Sequence, residues 1–217
     1  MRINKFVAQA TGLSRRAVDA AIGKGRITVN GVPAEAGQQI DTSDVVTLDK
    51  RPITPPVKTY TLILNKPVGY VVSRDGQGSP TVYDLLPSEY HTLKPVGRLD
   101  KDSSGLLLLT NNGELAHQLT HPSFEKEKVY QVELNKPLTS VDREAIEAGV
   151  ELEDGVSHLG LGGKGAAWTV TISQGRNRQI RRTFAARGYI VIKLHRTQFG
   201  PYTLGKLAPG NCMTLGE

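Results

Sequence analysis

The pattern of apolar and polar positions divides the chain into two stretches of different grain. In the first, Ile3, Phe6, Val7 and Ala10 recur at helical spacing until Thr11-Gly12 breaks the run. Ser14 then caps a second predicted helix, with Ala17, Val18, Ala21 and Ile22 on its apolar face and Gly23 at its end. A strand is predicted at 26–29. Asn30-Gly31, both tolerant of positive φ, predicts a tight hairpin turn behind it, and short strands around 39–40 and 45–48 complete an α-α-β unit over residues 1–49. Residues 50–59 hold Pro52, Pro55 and Pro56 without apolar periodicity and are expected to be a linker.

From residue 60 to residue 217 strands prevail. They are predicted at 61–65, 129–134, 168–172 and 189–194, with a short helical turn at 82–86 stopped by Pro87. Helices are expected at 114–120, at 140–148 behind a Ser140 cap, and from a cap at Asn177 to Ala186. Strands outnumber long helices and do not alternate with them regularly. The fold class is therefore α+β, with a mixed, mainly antiparallel sheet rather than a doubly wound one. The run Leu106-Leu107-Leu108-Leu109, closed by Thr110 and Asn111-Asn112-Gly113, reads as a buried strand. The stretch Gly97-Arg98-Leu99-Asp100-Lys101-Asp102-Ser103-Ser104-Gly105 leads into it. By local pattern it is either a polar turn capping that strand or a carboxylate held rigidly at the lip of the core.

Composition narrows the function classes only modestly. The chain has 217 residues, 38% hydrophobic and 22% charged, as an ordinary soluble globular protein does. No apolar run approaches the length of a membrane span, and the first residues lack a signal-peptide core. A single cysteine, Cys212, excludes an internal disulfide and a multi-cysteine zinc site, and the cytoplasm is the expected compartment. His117, His121 and His195 lack a supporting carboxylate motif, so no metal and no cofactor is expected. The net charge of +6 is unevenly spread. Residues 1–31 carry six basic groups against Asp19 alone, and residues 174–196 carry seven and no acid. Two separated basic clusters suit two contacts on one long nucleic acid.

Family resemblance sharpens this. Asn4-Lys5-Phe6, Gly12 to Arg16, Gly25 to Gly31 and Asp44-Val45-Val46 resemble the small RNA-binding module first named for a small-subunit ribosomal protein. Lys5, Arg15, Arg16, Lys24 and Arg26 are its expected phosphate contacts. Gly97 to Asp100 with Ser104 to Gly113, Lys126 to Tyr130, and Gly175 to Arg182 resemble, in order, three motifs of the RsuA-type pseudouridine synthases. Asn65 to Gly69 and Leu194-His195-Arg196 also fit, so the resemblance covers nearly the whole chain. Ser103 stands where the family often has threonine, and Met213 where a basic residue is expected.

The resemblance implies a pseudouridine synthase fold and the conversion of a uridine in ribosomal RNA to pseudouridine. The glycosidic bond breaks, the base rotates, and its carbon 5 joins the same ribose. Asp100 is the implied essential carboxylate, either attacking the anomeric carbon or removing the neighbouring ribose proton. Arg181 is the implied cation opposite it. Tyr130 is expected to face the uracil and relay the proton lost from carbon 5; a lone tyrosine in an alternating strand otherwise reads as core. Arg98, Arg176, Arg178, Gln179, Ile180 and Arg182 are the expected substrate-binding residues, with core packing for Ile180 and a solvated face for Arg182 equally open. The expected partner is ribosomal RNA, naked or in a pre-ribosomal particle, met by a monomer away from membranes. The rival reading is a non-catalytic RNA-binding assembly factor; a third is a nucleoside hydrolase.

Overall fold

The computed structural model describes residues 1–41, 43–54 and 58–215. These form two compact units, Met1–Tyr60 and Thr61–Glu217. In the first, α1 (Ile3–Thr11) and α2 (Arg15–Gly23) precede a four-stranded antiparallel sheet of β1 (Ile27–Val29), β2 (Val32–Pro33), β3 (Val46–Leu48) and β4 (Arg51–Pro52), in the order β2-β1-β3-β4. Ser14 caps α2 as expected, its side chain accepting from the Ala17 amide. Asn30 and Gly31 both take positive φ, 52° and 84°, which is the turn their identities predict. Ile3, Val7, Val18, Ile22, Ile27 and Val46 share one buried cluster. Asn4, 8% exposed, pins the two helices together by donating to Asp19 and accepting from Arg15.

Two expectations change here. Residues 39–40 make only an isolated bridge, Arg2 to Gln39. The expected linker begins as structure, because β4 pairs with β3 and Ile53 packs on the core. Pro52 is tolerated there because β4 is an edge strand, where a missing N–H is not missed. Pro55 and Pro56 lie outside the described residues.

The second unit runs β5 (Thr61–Lys66), β6 (Lys94–Val96), β7 (Ser104–Thr110), α3 (Gly113–Thr120), β8 (Lys128–Leu134), α4 (Ser140–Ala148), β9 (Val150–Leu152), β10 (Gly155–Ser157), β11 (Gly160–Lys164), β12 (Ala167–Ile172), α5 (Gln179–Ala185), β13 (Val191–Phe199), β14 (Tyr202–Thr203) and β15 (Cys212–Thr214). The main sheet has the order β11-β12-β8-β13-β7-β5-β15, with β6 also on β7 and β14 on β13. Only the β13–β7 pair is parallel, so the sheet is mixed and mainly antiparallel. Leu106 to Leu109 are all at 0% exposure on β7. A strand covered on both faces reads as an unbroken apolar run, and each such leucine contributes about 2 kcal/mol.

Three local expectations are corrected. Thr139, not Ser140, caps α4, because its hydroxyl accepts from the Asp142 amide. The residue before α5 is Arg178, in the left-handed region at φ 47°, and not Asn177. The strand predicted at 189–194 starts at Val191 and runs on to Phe199, carrying bulges that the alternation rule does not anticipate. Among the described residues no helix is long and apolar enough to cross a membrane.

Gly105 marks the tightest approach in the sheet. It sits at φ +106° beside Arg196 of β13, and an added Cβ would lie 2.2 Å from the Arg196 carbonyl oxygen and 2.6 Å from its nitrogen. Gly105→Ala combines a left-handed strain with a backbone clash and is expected to destabilise the protein by about 3 kcal/mol or more in urea unfolding. A change below 1 kcal/mol, on the order of a surface substitution, would show that the two strands part easily.

Lys66, at the end of β5, is wholly buried, and its Nζ donates to the carbonyls of Ser103 at 2.6 Å and Pro67 at 3.0 Å. Burial pushes the ammonium down to about 8, against the opposing pull of Asp100 and Asp102. Below that pH both folded and unfolded chains carry the proton. Between about 8 and 10.5 the unfolded chain alone keeps it, so stability rises with pH across this window. Relative to Lys66→Met, the wild type is expected to gain up to about 3 kcal/mol in urea unfolding over that range. A flat difference would assign the depressed proton affinity elsewhere.

Candidate active site

The segment in front of β7 is a held loop. Gly97 takes φ 71° at its start, the Ser103 amide donates to the Asp100 carbonyl at 3.1 Å, and the Gly69 amide donates to the Lys101 carbonyl at 2.7 Å. Lys101 Nζ reaches Ser79 Oγ at 3.0 Å, while Lys66 grips Ser103 from below. Ser104 Oγ pairs with His195 Nδ1 at 2.9 Å, so β13 fastens the far end. A carboxylate on this loop is placed by its backbone, with little freedom to drift. The Asp100 side chain is 30% exposed.

Asp100 opens into a cavity of about 880 Å³. Arg98, Tyr130, Ile180, Arg178, Arg196 and Phe199 contribute to its wall. Tyr130 and Ile180 are buried, at 7% and 4% exposure, and Arg98 is exposed at the rim. Five elements therefore converge on one concavity: the Asp100 loop, β8, the segment before α5, α5 itself and β13.

Arg178 is the cation that pairs with Asp100, and Arg181 adds its charge to the same carboxylate. Its Nη1 lies 3.5 Å from Asp100 Oδ2, and it also grips Asp102 with two hydrogen bonds of 3.0 and 2.9 Å. The left-handed turn at Arg178 swings its side chain over the loop, a placement that a helical reading of 177–186 does not give. Arg181 points to the neighbouring carboxylate. Its Nη2 donates to the Asp102 carbonyl at 2.8 Å, its Nη1 donates to the Val191 carbonyl at 2.7 Å, and its Nε lies 3.3 Å from Asp102 Oδ2 without hydrogen-bond geometry. The hydrogen bonds from Arg178, with the charge of Arg181 added, hold the Asp102 carboxyl below the usual carboxylate range.

Arg176 and Gln179, expected to bind substrate, lie in the cavity wall, and together with Arg182 they are also tied to the β9–β10 hairpin. Arg176 donates to Asp154 and to the carbonyls of Asp154, Gly155 and Val156. Arg182 makes two hydrogen bonds to the same carboxylate, of 3.0 and 2.7 Å. Gln179, 3% exposed, donates to Ser157 and accepts from the Arg176 amide. The β9–β10 hairpin supplies Asp154 and Ser157, and no pattern in the sequence placed that hairpin against α5.

Two cavity residues, Lys128 and Arg196, were missed as individuals, as was Lys66, which is buried beneath the Asp100 loop. Lys128 lies 5.3 Å from the Phe199 ring, and burial lowers its ammonium. Arg196, 2% exposed, donates from Nε to the Leu106 carbonyl at 2.8 Å and stacks 5.0 Å over Phe199. Each is a cation interrupting or ending an apolar strand. That irregularity is the available signal, since an unpaired charge does not survive in a sheet interior.

In the first unit Arg16 and Lys24 are exposed and Lys5 is half-buried. Arg15 is tied to Asn4, and Arg26 makes a bidentate pair with Asp49. Of the five expected contacts, Arg26 alone has its charge matched by a carboxylate, and Arg15, Arg16 and Lys24 are exposed cations.

A carboxylate beside a guanidinium, facing an aromatic ring across a nucleoside-sized cavity, can act on a sugar carbon or its proton while the ring holds a base. Comparison with known proteins agrees with that chemistry. Residues 60–186 match the family model for RNA pseudouridylate synthase, and residues 1–46 match the S4 domain. A relative from Aquifex aeolicus, named as an uncharacterized RNA pseudouridine synthase, is 36% identical over 100% of this chain and 91% of its own. The ribosomal large subunit pseudouridine synthase B of Pseudomonas aeruginosa is 38% identical over 94% of this chain, but this chain spans only 56% of it. A crystal structure of a pseudouridylate synthase superposes with a TM-score of 0.71 at 31% identity, covering 100% of this chain and 96% of that one. With a matched synthase model over most of its length and an S4 domain ahead of it, this chain belongs to the RNA pseudouridylate synthase family.

Proposed function

We propose that this chain isomerises a uridine of large-subunit ribosomal RNA to pseudouridine, with Asp100 as the catalytic carboxylate. The observation that carries this is the held Asp100 loop, which presents a carboxylate, paired to Arg178, to the cavity lined by Tyr130. The choice of RNA follows the names of the relatives from Pseudomonas and Xanthomonas.

A uridine within folded RNA must leave its stack to reach Asp100, and a cavity closed by Tyr130 and Ile180 offers apolar contact to the flipped base. Asp100 then either attacks the anomeric carbon or takes the neighbouring ribose proton. On both routes the bond from carbon 1′ to nitrogen 1 breaks, the uracil rotates, and a bond forms from carbon 5 to the same ribose carbon. The proton on carbon 5 is lost and nitrogen 1 gains one, so no oxidant or second substrate is needed. The Tyr130 hydroxyl is the relay proposed for that proton. The proposed working form is a monomer. The cytoplasm, where bacterial ribosomal RNA is made and assembled, is the proposed location.

Uridine labelled with tritium at carbon 5 tests the reaction. Wild-type protein is expected to release tritium from bacterial large-subunit RNA, as naked RNA or assembly particle, and pseudouridine mapping then identifies the position. Asp100→Asn keeps the side-chain shape and is expected to cut release by at least about 1,000-fold while RNA binding stays nearly intact. Undiminished release would remove Asp100 from the reaction.

A further inference from the structure

A second aromatic feature stands at the mouth of the cavity. His117 and His121, one helical turn apart at the end of α3 and just beyond it, have ring centroids 4.8 Å apart. Phe124, closing the short turn Pro122–Phe124, meets both rings edge-on, at 5.9 Å and 83° and at 6.1 Å and 71°. All three are exposed, and Phe124 is 44% open to water.

The cluster is not there to complete the core. Leu115, Ala116 and Leu119 of the same helix already pack against Leu106, Leu108 and Phe199, so the histidine face is the outward one. The cluster is nonetheless fixed in place. Asn112 caps α3 through the amides of Glu114 and Leu115, and Ser123 binds His121 Nδ1 through both its hydroxyl and its amide. Glu125, in the left-handed region at φ 40°, turns the chain back toward the cavity, whose wall includes His121, Glu125 and Lys126. Lys126 Nζ stands 6.0 Å from the Phe124 ring.

We propose that His117, His121 and Phe124 form a stacking shelf for a nucleobase that flanks the target uridine. Flipping a uridine out of folded RNA leaves its neighbour without a stacking partner. An open aromatic face continuous with the cavity replaces that partner, and the adjacent ammonium of Lys126 suits the phosphate between the two nucleotides. Stacking of this kind accepts any base, so the shelf contributes affinity without dictating sequence.

The inference rests on the RNA reading above, and its test separates the two. With the full chain and a hairpin carrying the mapped uridine, Phe124→Ala is expected to lower kcat/KM about tenfold, with the loss falling on KM, and Phe124→Trp to restore it. An abasic residue placed at each flanking position in turn is expected to reproduce the loss at one position in the wild type and to add nothing there in Phe124→Ala. Wild-type turnover with an unchanged KM in Phe124→Ala overturns the shelf and leaves the synthase reading standing. Equal losses in the Ala and Trp variants also overturn it, marking Phe124 as a packing residue. If the wild type turns over no RNA, the synthase reading fails and binding alone decides the shelf. In that case 2-aminopurine beside a loop uridine is expected to be quenched by the wild type and not by Phe124→Ala; equal quenching overturns the proposal.

Discussion

A lysine and an arginine with almost no access to water hold the centre of the catalytic unit. Lys66 donates to the Ser103 carbonyl, just before β7, and Arg196 to the Leu106 carbonyl within it, so the two cations grip the chain on either side of Gly105. Burying a charge without partners costs several kcal/mol; Lys66 has two backbone oxygens and the field of Asp100 and Asp102, and Arg196 has one backbone oxygen and the face of the Phe199 ring. The dependence is mutual. The carboxylates sit on a loop that the lysine fixes, and the lysine keeps its proton near neutrality partly because the carboxylates are there. Gly105 makes the arrangement possible by letting β13 bring Arg196 against the strand.

The arginines around α5 extend the same logic. Asp102 collects Arg178 and Arg181, and Asp154 collects Arg176 and Arg182. Exposed ion pairs contribute little to stability one at a time. Here two carboxylates each receive two guanidinium groups, and the hydrogen bonds join segments far apart in sequence. A run that looks like a phosphate-binding surface is thus largely the framework that sets the shape of the cavity.

Much of this was legible in the residues. The helical periodicity of the first unit, the Asn30-Gly31 turn and the buried leucine run each follow from local stereochemistry. The mixed, mainly antiparallel sheet follows from the excess of strands. The placement of Asp100 at the lip of β7 was readable as one of two alternatives, and the family motifs favoured the catalytic one. What escaped depends on long-range partners. Arg178 pairs with Asp100 because of one left-handed residue, and Arg176 and Arg182 pair with Asp154 because the β9–β10 hairpin delivers it. Neither follows from spacing within a motif. The aromatic cluster of His117, His121 and Phe124 was visible only as histidines to be weighed for metal, since its third member is brought in by a turn.

The parallel contact between β7 and β13 also governs when the cavity can exist. Ser104 and His195 are 91 positions apart, and the cavity stays open on one side until that pair forms. The first unit, by contrast, closes its sheet within its first 52 residues. A chain emerging from the ribosome can therefore complete its RNA-binding module while β7 still lacks its central neighbour, and contacts of such long sequence separation are the slow ones to form. By sequence separation alone, the first unit can be complete before the cavity is.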